Sequence, residues 1–383
     1  MFVINGEKTF AKVVATPADI EQTALDQIKN ICDHPAFKDS NITIMPDAHG
    51  GTGCVIGFTC KVKDYIVPNL IGVDIGCGVL TYKISKCDIP LIDLKKLDEF
   101  IHKNIPHGFS IRKNPHKFAN FFKDDFYNIK DCSFRQFCEQ IGTNERDVLS
   151  SVGSLGSGNH FQELSEDEKF YYFTVHCGSR NFGLRVCNYY QKIAKEKCKM
   201  YFFDKFDKCE FLPMCDGGID YLKSMKSAQR LAHWNRRAII SDVVEYLGLA
   251  YNEENLIESV HNYIDDDNIL RKGAISAKPG EKVVIPLNMR DGIILGTGKS
   301  KYEYNFSAPH GAGRTMSRTK AKASISLESF QKSMECVFST CINESTIDES
   351  PFAYKPKETI INNIGELVEI EQIIKPIYNF KAN

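Results

Sequence analysis

Six loops along this chain, at residues 41–53, 69–79, 151–163, 170–180, 259–263 and 305–318, hold histidine, cysteine or aspartate side chains, most of them beside glycines. Their scatter constrains the fold more than any other feature. Loops of one chemical type this far apart in sequence share a pocket only if the elements between them are interleaved around one core. No internal repeat or low-complexity linker interrupts the chain. We therefore expect a single domain over residues 1–383 of α+β class. Short β-rich runs alternate irregularly with helices, which disfavours a doubly wound parallel sheet.

The last loop carries the strongest chemistry. His310 is followed by Gly311, Ala312 and Gly313, whose small side chains let backbone N–H groups approach a bound anion. Arg314 and Arg318 come next, and guanidinium forks match phosphate oxygens. A histidine held there serves as nucleophile, acid or ligand; alternatively the stretch is a turn opening a polar helix over 317–329.

In the first loop a strand from Asn41 delivers Asp47 and His49 into a glycine run, and a second strand follows over Cys54 to Val62. Asp47 either serves a site or satisfies turn N–H groups. Asp74 and Cys77, three residues apart among glycines and between two apolar strands, can point at one ion, although a turn aspartate beside a buried cysteine is the plainer account. Asn159, His160 and Glu163 follow a Gly/Ser turn, one strand ends on His176 and Arg180, and another ends on His261 and Asn262. Each is ordinary alone. Together they make convergence on one pocket the better account.

The rest reads as scaffold. A first helix is expected with Thr16 as N-cap, Pro17 at its first position and Ile20, Ala24, Ile28 and Cys32 along one face. Residues 101–145 read as surface helices and loops, and residues 182–254 as a helical segment inserted in or flanking the domain. Within it, Gln229 to Arg237 clusters cations with Trp234, which fits either a nucleic-acid contact or a solvated helix face. The tail from Glu349 onward reads as a helix running out into Ile374 to Asn383.

The 14 cysteines show no CxxC pair, and Met1 to Lys8 shows no apolar export signal, so reduced thiols in a cytoplasmic protein are expected. No apolar run approaches the roughly 18 residues of a membrane span. A formal net charge of −1 gives no bulk attraction to nucleic acid, so an RNA partner would have to be met by a local patch.

Gly72-Val-Asp-Ile-Gly-Cys-Gly78, Gly158-Asn-His-Phe161, His176-Cys-Gly-Ser-Arg180, His261-Asn262 and His310-Gly-Ala-Gly-Arg314, in this order, resemble the RtcB family of GTP-dependent RNA-splicing ligases. The resemblance runs nearly end to end. It implies stacked β-sheets surrounded by helices, with a central active-site cleft. It also implies that His310 attacks the α-phosphorus of GTP to form a histidine–GMP adduct. The guanylyl group then passes to an RNA 3′-phosphate, itself formed from a 2′,3′-cyclic phosphate where necessary, and a 5′-hydroxyl end seals the strand as GMP leaves. Two Mn²⁺ ions, or Zn²⁺ or another divalent metal, would be held by Asp74, Cys77 and His160 and by Cys77, His176 and His261. The resemblance places the guanylate against Asn159, His160, Phe161, Gln162, Glu163, His261, Asn262, Pro286, Leu287, Asn288, Met289, His310, Gly311, Ala312, Gly313 and Lys381, and gives Asp47 a part in the chemistry. RNA repair or tRNA splicing is the implied role, with an archease-like activator as a further partner. A guanylyltransferase that caps 3′-phosphate ends without sealing, or a metal-bound protein that only holds RNA ends, are the alternatives.

Departures from the family pattern mark a divergent branch. A Gly-Lys-Gly is replaced by Gly50-Gly-Thr-Gly53, Pro-Gly-Ser-Met by Pro286-Leu-Asn-Met289, and a nucleotide-contacting serine by Ile293. Cys177 stands where serine is common, and the chain runs two residues past Lys381.

Overall fold

Two sheets present the site, in a computed structural model that describes residues 1–200 and 208–382. The first has six strands in the order Phe2–Asn5, Phe10–Val13, Ile42–His49, Ile56–Lys61, Ile269–Lys272 and Asn262–Ile264, of which only the second and third pair in parallel. The second has seven antiparallel strands in the order Leu256–Val260, Gly78–Ser85, Phe170–Cys177, Phe161–Glu166, Val368–Lys381, Gly292–Gly298 and Lys282–Asn288. Its outer strands meet where Val284 N–H donates to Ser259 Oγ at 3.0 Å, so the sheet curls almost into a barrel. With helices packed around both sheets, the class is α+β, as expected.

Strand alternation divides the second sheet's residues between two environments. One face encloses Val79, Tyr172, Val284, Ile293, Leu295 and Ile374. The other packs Leu80, Phe173, Val175, Tyr378 and Phe380 against Ile101 of helix Leu94–Asn104 and Ile240 and Val243 of helix Ile219–Tyr246. The chain leaves this sheet at Val260 and enters the first at Asn262. His261 therefore sits where the two sheets join.

Several sequence expectations need correction. Thr16 and Asp19 cap only a short 3₁₀ turn over Pro17–Asp19, and the helix proper is Gln22–Asp33. Ala24, Ile28 and Cys32 do line its buried face, with Ile31. Asp47 lies inside strand Ile42–His49 rather than in the loop after it, and the partner strand is Ile56–Lys61, shorter than the Cys54–Val62 expected. The Asp74–Cys77 loop follows a short helix, Pro68–Ile71, not a strand. The helices over 101–145 are not mere surface: Phe118, Phe122, Phe126, Phe134 and Phe137 pack into the main core, where each such ring stabilises by about 1.5–3 kcal/mol. The polar helix expected over 317–329 is two, Arg318–Ser324 and Leu327–Ser333, because Ser326 caps the second. The tail has only a short helix, Lys357–Asn363, and then the strand Val368–Lys381 at the heart of the second sheet. The helical segment holds Arg180–Met200 and Ile219–Tyr246, with residues 201–207 outside the described part.

Candidate active site and metal centre

His310 follows strand Ser307–Pro309, which pairs with Ala274–Ser276. Its Nδ1 lies 2.7 Å from Asp47 Oδ2, and its backbone N–H donates to the same oxygen at 3.2 Å. A carboxylate only accepts, so Nδ1 carries a proton, and the neutral ring held this way has its lone pair on Nε2. Asp47 is fully buried and accepts from both the ring and the backbone of His310, so it braces that residue and not its own turn. Gly313 is obligatory here: its φ is +73°, and a Cβ would stand 2.1 Å from the Asp47 carbonyl oxygen.

Beside His310, with ring centroids 4.7 Å apart, His261 begins a chain of ligand-capable atoms. His261 Nε2 is 3.3 Å from His176 Nε2, which is 3.2 Å from Cys77 Sγ. Cys77 Sγ is 3.5 Å from His160 Nε2, itself 3.0 Å from Asp74 Oδ2. These fall into two groups, Cys77 with His176 and His261 and Asp74 with Cys77 and His160, each with ligand atoms within 4.8 Å of one another. His160 Nδ1 donates to Leu155 O at 3.0 Å and His176 Nδ1 to Asn159 O at 3.1 Å, so both Nε2 lone pairs face the thiol. Burial pushes the Cys77 thiol well above its usual range and holds His176 and His261 well below theirs. A thiol, imidazole nitrogens and a carboxylate converging in a buried pocket are the donor types that a divalent cation gathers. The donor set thus fits two metal ions with Cys77 common to both.

Helix Ile219–Tyr246 fixes these loops from behind. Asn235 Oδ1 accepts from Gly153 N–H and Ser154 N–H at 2.7 and 3.0 Å, while its Nδ2 donates to Ser154 O and Gly178 O at 3.0 and 3.1 Å. Arg236, fully buried, donates to Gly76 O at 2.9 Å, to Cys177 O at 2.7 Å and to Glu258. Arg237 pairs with Glu253 and Glu258, and Arg230 and Trp234 both donate to Asp125. Arg236 and Arg237 of the cationic cluster are thus buried and paired and not part of a solvated face, while Arg230 and Trp234, half-buried, are tied to Asp125. Asn235 and Arg236 brace the metal loops, and no local pattern marks the distant carboxylates that neutralise the cluster.

A cavity of about 610 Å³ opens beside His310. Of the residues expected around a nucleotide, Asn159, Phe161, Glu163, His261, Pro286, Leu287, Asn288, Met289, His310, Gly311, Ala312, Gly313 and Lys381 line it. Three do not. His160 turns to Asp74 and Cys77. Gln162, fully buried, falls on the opposite face of its strand from Phe161 and Glu163, because side chains alternate with period two. Asn262 braces the backbone, donating to Asp74 O at 3.1 Å and accepting from Gly273 N–H at 3.0 Å. Ile293, in the place of the serine, points into the enclosed apolar cluster.

Arg314 and Arg318 are not a free phosphate fork either, since both pair with Glu349, and Arg318 with Asp348 as well. Glu349 also accepts from Lys381 Nζ and Tyr354 OH, each at 2.7 Å. Burial alone would raise its carboxyl, but Lys381 and Arg318 outweigh that and hold it at about 2. Sequence reasoning missed Glu349 because nothing beside it in the chain hinted at chemistry. Glu163, on the facing strand, is pushed up to about 7 by burial, against hydrogen bonds from Ser165 and Asn379 and the charge of Lys381.

An α+β fold whose two sheets meet at two groups of cysteine, histidine and aspartate side chains able to hold metal ions, with a carboxylate-held histidine next to them, defines the class: a protein with a candidate two-metal centre beside a buried Asp–His pair. The family described as tRNA-splicing ligase RtcB matches residues 27–382, and the chain belongs to it. It is 29% identical over 414 residues to the RNA-splicing ligase RtcB of Escherichia coli K12, covering 99% of each chain. It is 25% identical to the tRNA-splicing ligases RtcB of Pyrobaculum aerophilum, over 87% of this chain and 85% of the relative, and of Methanococcus maripaludis, over 89% and 87%. No helix among the described residues is long and apolar enough to cross a membrane.

Proposed function

We propose that this chain is an RNA ligase that joins RNA 3′-phosphate or 2′,3′-cyclic phosphate ends to 5′-hydroxyl ends at the expense of GTP, in RNA repair or tRNA splicing in the cytoplasm, with residues 1–383 acting as one catalytic domain. The observation that carries the reading is the Asp47–His310 pair. It points the Nδ1 proton at the carboxylate, so that the neutral ring offers its Nε2 lone pair beside a cavity with room for a nucleotide. Nε2 attacks the α-phosphorus of GTP, an N–P bond forms, and pyrophosphate leaves with the electrons of the broken P–O bond. An oxygen of the RNA 3′-phosphate then takes the guanylyl group from His310, and the 5′-hydroxyl displaces GMP from the activated end. The imidazolium charge that develops on His310 is balanced by the buried Asp47 carboxylate.

Asp74, Cys77 and His160 would hold one divalent ion, and Cys77, His176 and His261 the other. When bound, such ions supply positive charge for the phosphoryl oxygens. Mn²⁺ is the leading candidate from the family, and Zn²⁺ suits the same thiolate and imidazole donors. Gly311, Ala312 and Gly313 line the cavity and would offer backbone N–H groups to an anion there. Glu163 and Lys381, which line it from adjacent strands, offer an acceptor and a donor to a nucleobase edge. An archease-like activator is a further partner of this reading.

Incubation with α-labelled GTP and Mn²⁺ should leave label on the denatured protein that is released by acid but not base and is absent from His310→Ala. Labelled protein that transfers guanylate to RNA without sealing would show a capping enzyme instead. Absence of label with metal bound would sink the reading.

A further inference from the structure

Phe109 is fully exposed, at the tip of a loop between helices Leu94–Asn104 and Phe118–Ile129. Its mounting is rigid. Leu155 N–H donates to Pro106 O at 2.8 Å, Gly108 N–H to Gly156 O at 2.7 Å, and Arg112 N–H to Ser150 O at 3.0 Å. Arg180 closes the clamp, donating to Gly108 O at 2.7 Å and to Ser154 Oγ at 3.0 Å from a residue whose own φ is +54°. The clamp is one step from the metal centre, because the Leu155 carbonyl that orients His160 belongs to the residue bonded to Pro106.

A phenylalanine ring held wholly out in water by a backbone clamp has no folding purpose, since exposing it forfeits the burial that Phe118, Phe122, Phe126, Phe134 and Phe137 of this segment gain. Val73, beside Asp74 in the chain, is exposed, and a Cβ at Gly158, two residues before His160, would meet open space, so the chain on the Asp74 and His160 side is open to solvent. Lys113, exposed four residues on, has no ion pair among the described residues. An exposed ring with an unpaired lysine close by in the chain fits the way single-stranded nucleic acid is held, with a base stacked on the ring and a phosphate near the charge.

We propose that Phe109 is a stacking platform for a base of the RNA strand whose end lies at the metal centre. This rests on the ligase reading, so the test separates the two. Binding of a fluorescent RNA ending in a 3′-phosphate, followed by anisotropy with Mn²⁺ and no GTP, should weaken about tenfold in Phe109→Ala. Phe109→Trp should bind as the parent does, and Phe109→Leu should behave like alanine, because stacking needs a ring and not mere apolarity. Labelling of His310 by GTP should stay within about twofold of the parent in all three.

Equal RNA binding by the alanine variant overturns the proposal. So does full binding by the leucine variant, which would mean a plain apolar contact. If RNA binding is unchanged but the alanine variant alone loses acceleration by an archease-type protein, the loop is a protein-docking site and the proposal falls. A parent that labels His310 yet binds no RNA refutes the ligase reading, and this inference with it.

Discussion

Replacing Asp47 isolates the part of the chemistry that the protein itself holds. Its Oδ2 accepts from both His310 Nδ1 and His310 N–H, while its Oδ1 is buried with no partner among the described residues. In Asp47→Asn, one orientation keeps the carbonyl oxygen toward His310 and leaves a buried NH₂ without an acceptor. The other points NH₂ at Nδ1, which favours the tautomer with its proton on Nε2 and blocks attack. Asp47→Ala removes the bond outright. A hydrogen bond to a charged group is worth about 1.5–3 kcal/mol, and about 1.4 kcal/mol is tenfold in rate, so guanylylation should slow by about 10- to 150-fold in the alanine variant. The asparagine variant should fall at least as far. The assay is single-turnover formation of the acid-labile adduct from α-labelled GTP, with metal content checked in each variant. Rates within twofold of the parent, with metal retained, would refute the assignment of Asp47 as the group that sets the His310 tautomer.

Three further outcomes are expected. Because Cys77 belongs to both ligand groups, Cys77→Ser should lose both tight metal equivalents in a calorimetric Mn²⁺ titration, whereas a variant keeping one at parental affinity would show the thiol is not shared. Glu349→Gln leaves the buried Lys381 without its counter-charge and should cost about 3–5 kcal/mol of stability by urea unfolding, and a loss under about 1 kcal/mol would show Lys381 has another acceptor. Glu163, raised from 4.5 to about 7 in the folded protein, contributes stability that is full below about pH 4.5 and is lost as pH rises towards 7. Relative to Glu163→Gln, the metal-free parent should therefore lose about 3 kcal/mol across that window and no more above it, and parallel profiles of the unfolding midpoint would count against this.

The sequence by itself determined the α+β class and the chemistry at hand. His310 with its glycines, and Asp74, Cys77, His160, His176 and His261, are legible because each stands in a short local pattern and their order matches a known family. It also fixed the alternation that should have set Gln162 apart from Phe161 and Glu163, a signal present but passed over. What only the tertiary structure decided are the partners brought from far along the chain. Asp47 meets His310 across 263 positions, Glu349 meets Lys381 across 32, and Arg236 meets Gly76 across 160. The same guanidinium reads as a nucleic-acid contact or as a brace until the carboxylate opposite it is known. Likewise, the carboxy-terminal strand at the centre of the second sheet takes its place from neighbours at 161–166 and 292–298, not from its own pattern. Local periodicity sets which residues share a face, but pairing, charge compensation and tautomer depend on what packs against that face, and the fold alone supplies it.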